Sequence, residues 1–261
     1  MANDKIDELI AVDKWVFETL RYTSFIVDFN EPAGLQEWWK NTTKLPNQEY
    51  TRKINGYTEK GLIENNELLM QWQPGRIDWL INSPSNNPES NSPINNIFNI
   101  GSIESAIAEY KTLINNWLKL PECPLSKRIA LGGIALLQVN DRETGYVLLN
   151  KLLNNNVTLD VHNVSDFIYQ INRIRPSTST PELSINRLVK WMVAQLTLFN
   201  IRIGIDNSKM INSNNGLYYV RVEFDLNTNN TYNGKLDGEK QSILLNELID
   251  VLRDVIYNGD K

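Results

Sequence analysis

Histidine and cysteine are almost missing from this sequence: His162 and Cys123 are the only ones. Most catalysis at neutral pH draws on histidine as acid or base, on cysteine as nucleophile, or on both as metal ligands. A Cys–His dyad would have to be this single pair, and a four-ligand zinc site built from His and Cys alone is excluded. One cysteine closes no internal disulfide, which fits a reducing cytoplasm. Long apolar runs are lacking too. No stretch of about 18 apolar residues occurs, so no transmembrane helix is expected. The opening MANDKIDELI carries acids and no apolar segment, unlike a secretory signal. Positive charge is scarce: 26 Lys and Arg against 31 Asp and Glu leave a net charge of -5, which argues against a general nucleic-acid binder. A local basic face remains compatible with that total. The phosphate-loop patterns GxGxxG and GxxxxGK[ST] are absent as well.

Asparagine is abundant, in short clusters such as Asn65-Asn66, Asn86-Asn87 and Asn154 to Asn156. Such clusters between apolar segments suit turns, where asparagine tolerates left-handed backbone. The hydrophobic share of 41% is enough for a sizeable buried core. One α+β domain over residues 1–261 is expected, with a flexible Pro-, Ser- and Asn-rich loop at 83–99. The loop also admits a subdivision into 1–82 and 100–261.

Periodicity places the elements. An amphipathic start (Ile6, Leu9, Ile10) precedes a strand-like run from Ser24 to Phe29, then a short helix from Glu31 to Lys40 carrying Trp38 and Trp39. Residues 50–82 read as an antiparallel meander with a Pro74-Gly75 turn. Ser102 caps a helix whose apolar positions, Ile103 to Leu118, recur at helical spacing until Pro121. Arg128 to Val139 reads as a strand, and Asp141 caps a shorter helix to Leu153. Asp166 to Ile174 is a strand ended by Pro176, and Leu217 to Leu226 alternates as another. Residues 183–203 suit either helix or strand, with the balance toward strand. Gln241 to Tyr257 is an amphipathic helix closed by Gly259. The order predicts an α+β fold with a mainly antiparallel sheet and helices packed on one face.

Two constellations carry candidate chemistry. Ile-Asn-Arg occurs at 171–173 and again at 185–187, on either side of a Pro- and Ser-rich connection. Paired strands would gather Arg173, Arg175, Arg187 and Lys190 on one exposed face, joined by Tyr169 and Asn172. Guanidinium forks there would recognise a partner's carboxylates or a nucleic-acid backbone. The bland alternative is internal pairing with acids of the C-terminal segment. The second constellation is Glu223 and Asp225, two apart on one strand and so on one face. With Asp166 they form the catalytic set of an alternative reading, a metal-dependent phosphodiesterase or nuclease. The commoner role of such acids is a salt-bridged strand face. Gly132-Gly133 suggests a bulge or close backbone approach. Seven tryptophans read as core before they read as a ligand box.

The run Lys127-Arg128-Ile129-Ala130-Leu131, then Asp166 to Arg173, then Glu223-Phe224-Asp225-Leu226-Asn227-Thr228 before a final helix resembles a known pattern. It is similar to a sporadically distributed bacterial family of uncharacterised proteins of about this length, often found near mobile elements and defence operons. The resemblance covers the last two-thirds and departs at the N-terminus. It implies a cytoplasmic accessory protein and brings no catalytic residues. The expectation is a non-enzymatic interaction or regulatory subunit of a prokaryotic assembly, in anti-phage defence, with a protein partner and with nucleic acid as a further option. No cofactor, metal or membrane is expected, and the sequence leaves the oligomeric state open.

Overall fold

Buried and open positions alternate through residues 56–63, 66–73, 184–193 and 219–226, and these runs are strands of one broad sheet. The computed structural model describes residues 12–83, 99–153, 156–196, 199–202, 209–212 and 216–260. The amphipathic start at Ile6 to Ile10 and residues 84–98 of the expected loop lie outside that set.

A one-turn 3-10 helix leads into β1 (Trp15–Ile26). Helix α1 (Leu35–Thr43) follows, then β2 (Glu49–Lys53), β3 (Gly56–Ile63), β4 (Asn66–Gln73) and β5 (Arg76–Asn82). Helix α2 (Ile103–Leu118) precedes β6 (Ser126–Val139) and α3 (Arg142–Leu153). The last third holds β7 (Ile168–Pro176), β8 (Ser184–Leu196), the short pair β9 (Phe199–Arg202) and β10 (Lys209–Asn212), β11 (Leu217–Thr228) and α4 (Gly238–Asn258).

Nine strands form one sheet in the order β2-β3-β4-β5-β1-β6-β11-β8-β7, with β9 and β10 pairing separately. Every neighbour pair is antiparallel. The fold is α+β, with its helices on one face of the sheet. The sheet crosses the suggested subdivision, because β1 pairs with β5 on one side and β6 on the other.

Residues 183–203, open between helix and strand, hold β8, whose buried Ile185, Val189 and Trp191 fall at period two. Strand β1 begins nine residues before the strand-like run from Ser24. A register shift between Phe17 and Thr19 breaks its alternation, so Trp15 and Phe17 no longer share a parity with Leu20 and Tyr22. The helix expected at Glu31 to Lys40 starts later, after Gly34 in left-handed conformation.

The core lies between the inward side chains and the helices. Trp38 meets Trp117 edge-to-face at 5.6 Å, and Tyr22 meets Trp117 likewise at 6.1 Å. Tyr110 of α2 wedges into the sheet itself. Its hydroxyl accepts from the Tyr22 N–H (2.6 Å) and donates to the Trp79 carbonyl (2.5 Å), bridging two residues paired across β1 and β5.

Candidate functional site

Arg173, Arg175 and Arg187 share one face, but it is the face covered by helices, not an open one. The register pairs Arg173 with Arg187 and Arg175 with Ile185, while Leu226 of the core sits opposite Arg187. Asp260, fully buried two residues past α4, collects these groups after the chain turns at Gly259 with φ 74. Its carboxylate accepts from Arg173 Nε (2.6 Å) and Nη2 (2.9 Å), Arg187 Nη2 (2.9 Å) and the Tyr169 hydroxyl (2.7 Å). Burial alone would raise the Asp260 carboxyl, yet these donors hold it below its ordinary value.

Arg175 pairs with Glu247 of α4 at 3.1 Å. The expectation of an exposed arginine face is corrected at Arg187, which is buried, whereas Arg173 and Arg175 keep side-chain exposures of 37% and 44% while pairing with Asp260 and with Glu247 of α4. Lys190 and Asn172, at odd offsets from Arg187 and Arg173, point to the opposite face.

No helix among the described residues covers that opposite face. Glu18, Arg221, Glu223 and Lys190 form a chain of ion pairs across it: Arg221 Nη1 to Glu18, Arg221 Nε to Glu223 at 3.0 Å, Lys190 Nζ to Glu223 at 3.4 Å. The cations hold the Glu223 carboxyl below its usual range against the opposing effect of burial. Asp225 accepts from Asn227 Nδ2 at 3.0 Å. Asp166 stands apart from both acids. It is an exposed residue at φ 58 before β7, two strands away from β11. Among the described residues no group of three His, Cys, Asp or Glu side chains could hold a metal ion. The catalytic set of the alternative reading is thus not brought together.

The open face also holds two arginines that the sequence reading passed over. Arg21 of β1 lies over Gly132, where an added side chain would begin 3.3 Å from the guanidinium. Its Nε is buried and meets no acceptor among the described residues. Arg128 Nε is in the same state, with its guanidinium 4.7 Å from the Phe25 ring centroid. A recess of about 380 Å³ opens beside Arg21, floored by Gly132 and Gly133 and walled by Arg221 and Glu223.

The remaining candidates are plain. His162 is exposed, with its Nδ1 3.2 Å from Glu143. Burial pushes the Cys123 thiol up to about 12, far from the thiolate a nucleophile needs. Six tryptophans are at most 1% exposed and Trp72 is 5% exposed, so all seven belong to the core. No helix among the described residues is long and apolar enough to cross a membrane. No protein-family model and no curated protein matches this chain.

Proposed function

We propose that this protein is a non-enzymatic interaction or regulatory subunit of an intracellular prokaryotic assembly, holding a protein partner on the open face of its sheet. Arg21 carries the reading. Burying a guanidinium nitrogen without an acceptor is costly, and folding alone gives no reason to keep it. Elsewhere the chain supplies carboxylates: Arg52 has Glu31, Arg76 has Asp78 and Arg253 has Glu104. Arg21 and Arg128 have none among the described residues, and both lie on the sheet face that no described helix covers, which carries Lys190 and Asn172 toward its β7 edge. An Asp- or Glu-bearing segment of a partner would complete them through bidentate ion pairs. The resemblance to a family found near defence operons supports phage defence as the setting.

A second reading, nucleic acid, is favoured by one observation. Arg76 and Arg128 flank the Phe25 ring at 5.8 and 4.7 Å, and Lys127 lies 5.7 Å from the Phe29 ring. Basic groups alternating with aromatic rings suit a single strand. Glu18, Glu223 and Asp225 on the same face oppose it, since phosphates would meet them at close range.

Affinity capture from the native host at about 0.1 M and about 0.5 M salt, spanning roughly a twofold range of screening length, tests the proposal. Wild type should retain one protein in fixed stoichiometry. Arg21→Glu and Arg128→Glu should lose it while melting near the wild-type temperature. Retention of the same protein by both variants contradicts the reading, and capture that nuclease abolishes would favour the second.

A further inference from the structure

A second concavity lies at the other end of the molecule, on the helix-bearing face near the β2 edge. Helix α1 ends there before it covers the β2–β3 hairpin, leaving a cleft of about 860 Å³. That size falls within the range of small-molecule sites. Trp39 of α1 fits over Gly61, where a side chain would begin only 2.7 Å from its ring, and this contact fixes how closely the helix approaches the sheet. Beyond it the inward residues Tyr50, Tyr57 and Glu59 line the cleft.

Glu59 is the anomaly. It is 3% exposed; Oε1 accepts from Asn47 Nδ2 at 2.9 Å, and the Tyr57 hydroxyl and the Trp39 backbone N–H lie near enough to favour the charged carboxylate. Oε2 is buried with no partner among the described residues. Its neighbour across the β3–β4 ladder, Met70, is fully buried and apolar. A glutamine or methionine would serve the fold better at this position. Burial pushes the Glu59 carboxyl up to about 7, so it is ionised above that pH at a cost to stability.

The mouth has a different chemistry. Lys40 of α1 and Lys44 just past its end border it with Glu37; Lys40 has no carboxylate partner among the described residues, and Lys44 Nζ donates to the Asn41 carbonyl at 2.7 Å. Tyr50 stands at the lip, 70% exposed, with an aromatic face free to stack.

We propose that this cleft binds a guanine nucleotide, its base edge on Glu59 and its phosphate between Lys40 and Lys44. Guanine presents two adjacent N–H donors, which match the two oxygens of one carboxylate. Adenine sets a lone pair beside its amine, and uracil flanks its N–H with two carbonyls, so both meet repulsion there. A ligand that is only a cation would use Glu59 but leave the two lysines idle. A free phosphate would use the lysines but leave Oε2 unpaired. The site is independent of the open sheet face.

Calorimetric titration of the full chain with GMP, AMP, UMP, methylguanidinium and inorganic phosphate at pH 8 is the test. GMP should saturate one site and bind tighter than each other probe by about tenfold or more, the size of one good bidentate contact. Glu59→Gln should lose that preference while melting no lower than wild type, because an ionised buried carboxylate is removed. The double substitution Lys40→Ala with Lys44→Ala lies at the surface and should bring GMP affinity down to that of guanosine. No saturable GMP binding overturns the proposal. So does equal binding of AMP, UMP, methylguanidinium or phosphate, or undiminished binding by Glu59→Gln.

Discussion

Replacing Glu247 by glutamine should lower stability by on the order of 3 kcal/mol at pH 7, and acid should progressively erase the difference. Glu247 projects from α4 into the β7–β8 connection with a side chain only 6% exposed. Its carboxylate accepts from the hydroxyls of Ser177 (2.7 Å) and Ser179 (2.6 Å), and from the backbone N–H of Thr178 (2.7 Å) and Ser179 (3.2 Å). Burial by itself would raise the carboxyl, but these donors prevail and hold it at about 2 against an ordinary 4.5. At about 1.4 kcal/mol per pH unit, that interval sets the magnitude. The depressed group stabilises the fold above the unfolded value of 4.5, and the contribution fades as pH falls from there toward 2. A glutamine keeps one acceptor oxygen and turns an N–H₂ group toward the two or three donors that the other oxygen served. For a chain of this size the loss corresponds to roughly 6 °C in melting temperature. Thermal melts of both proteins from pH 7 to 3.5 measure it, and the gap should narrow by roughly two-fifths over that range. A gap below about 2 °C at pH 7, well under the linkage magnitude, would refute the reasoning, as would a gap that widens on acidification.

Three further outcomes follow from the same geometry. Asp260→Ala removes at once the acceptor shared by Arg173, Arg187 and Tyr169, leaving Arg187 the looser Asp254 contact at 3.6 Å, and should cost about 3–5 kcal/mol in a urea melt; a loss under about 1 kcal/mol would contradict its role. Tyr110→Phe strands the Tyr22 N–H and the Trp79 carbonyl, at about 1–3 kcal/mol for each group left unpaired, and an unchanged melting temperature would mean the two strands close without the wedge. Cys123, with its thiol pushed up to about 12, should resist a thiol-specific disulfide reagent at pH 8 until the protein unfolds; rapid native-state labelling would contradict this.

The elements were legible wherever burial follows one period without interruption. Ser102 does cap α2, accepting from the Ser105 N–H, and Asp141 accepts from the Thr144 N–H at the start of α3. Local chemistry decides such features. β1 was half hidden because its register shift between Phe17 and Thr19 changes parity within the strand. The arginines of the doubled Ile-Asn-Arg were rightly grouped, since a hairpin fixes their register. Which face they take depends on α4, about 70 residues further on, and on Asp260, so no local pattern reveals it. Arg21 and Arg128 were missed for the same reason: β1 and β6 are neighbours only through long-range pairing. The alternation of Arg221, Glu223 and Asp225 in β11 was the one local sign of a charged open face. Glu59 gave no sign at all, because its burial comes from α1 packing over Gly61.

Site-specific photo-crosslinking in the native host tests the open-face interface most directly. A photoreactive phenylalanine analogue would replace Asn172 or Ile168 on the open face, and Ile243 of α4 would serve as the control in the helix layer. Ile168 and Ile243 are 57% and 45% exposed, so both positions tolerate a probe without disturbing the core. One protein adduct of constant mass from Asn172 and Ile168, absent from Ile243 and abolished by Arg21→Glu, is the expected result. Adducts from Ile243 alone, or adducts from Asn172 that persist in Arg21→Glu, would contradict a partner held on the open face of the sheet.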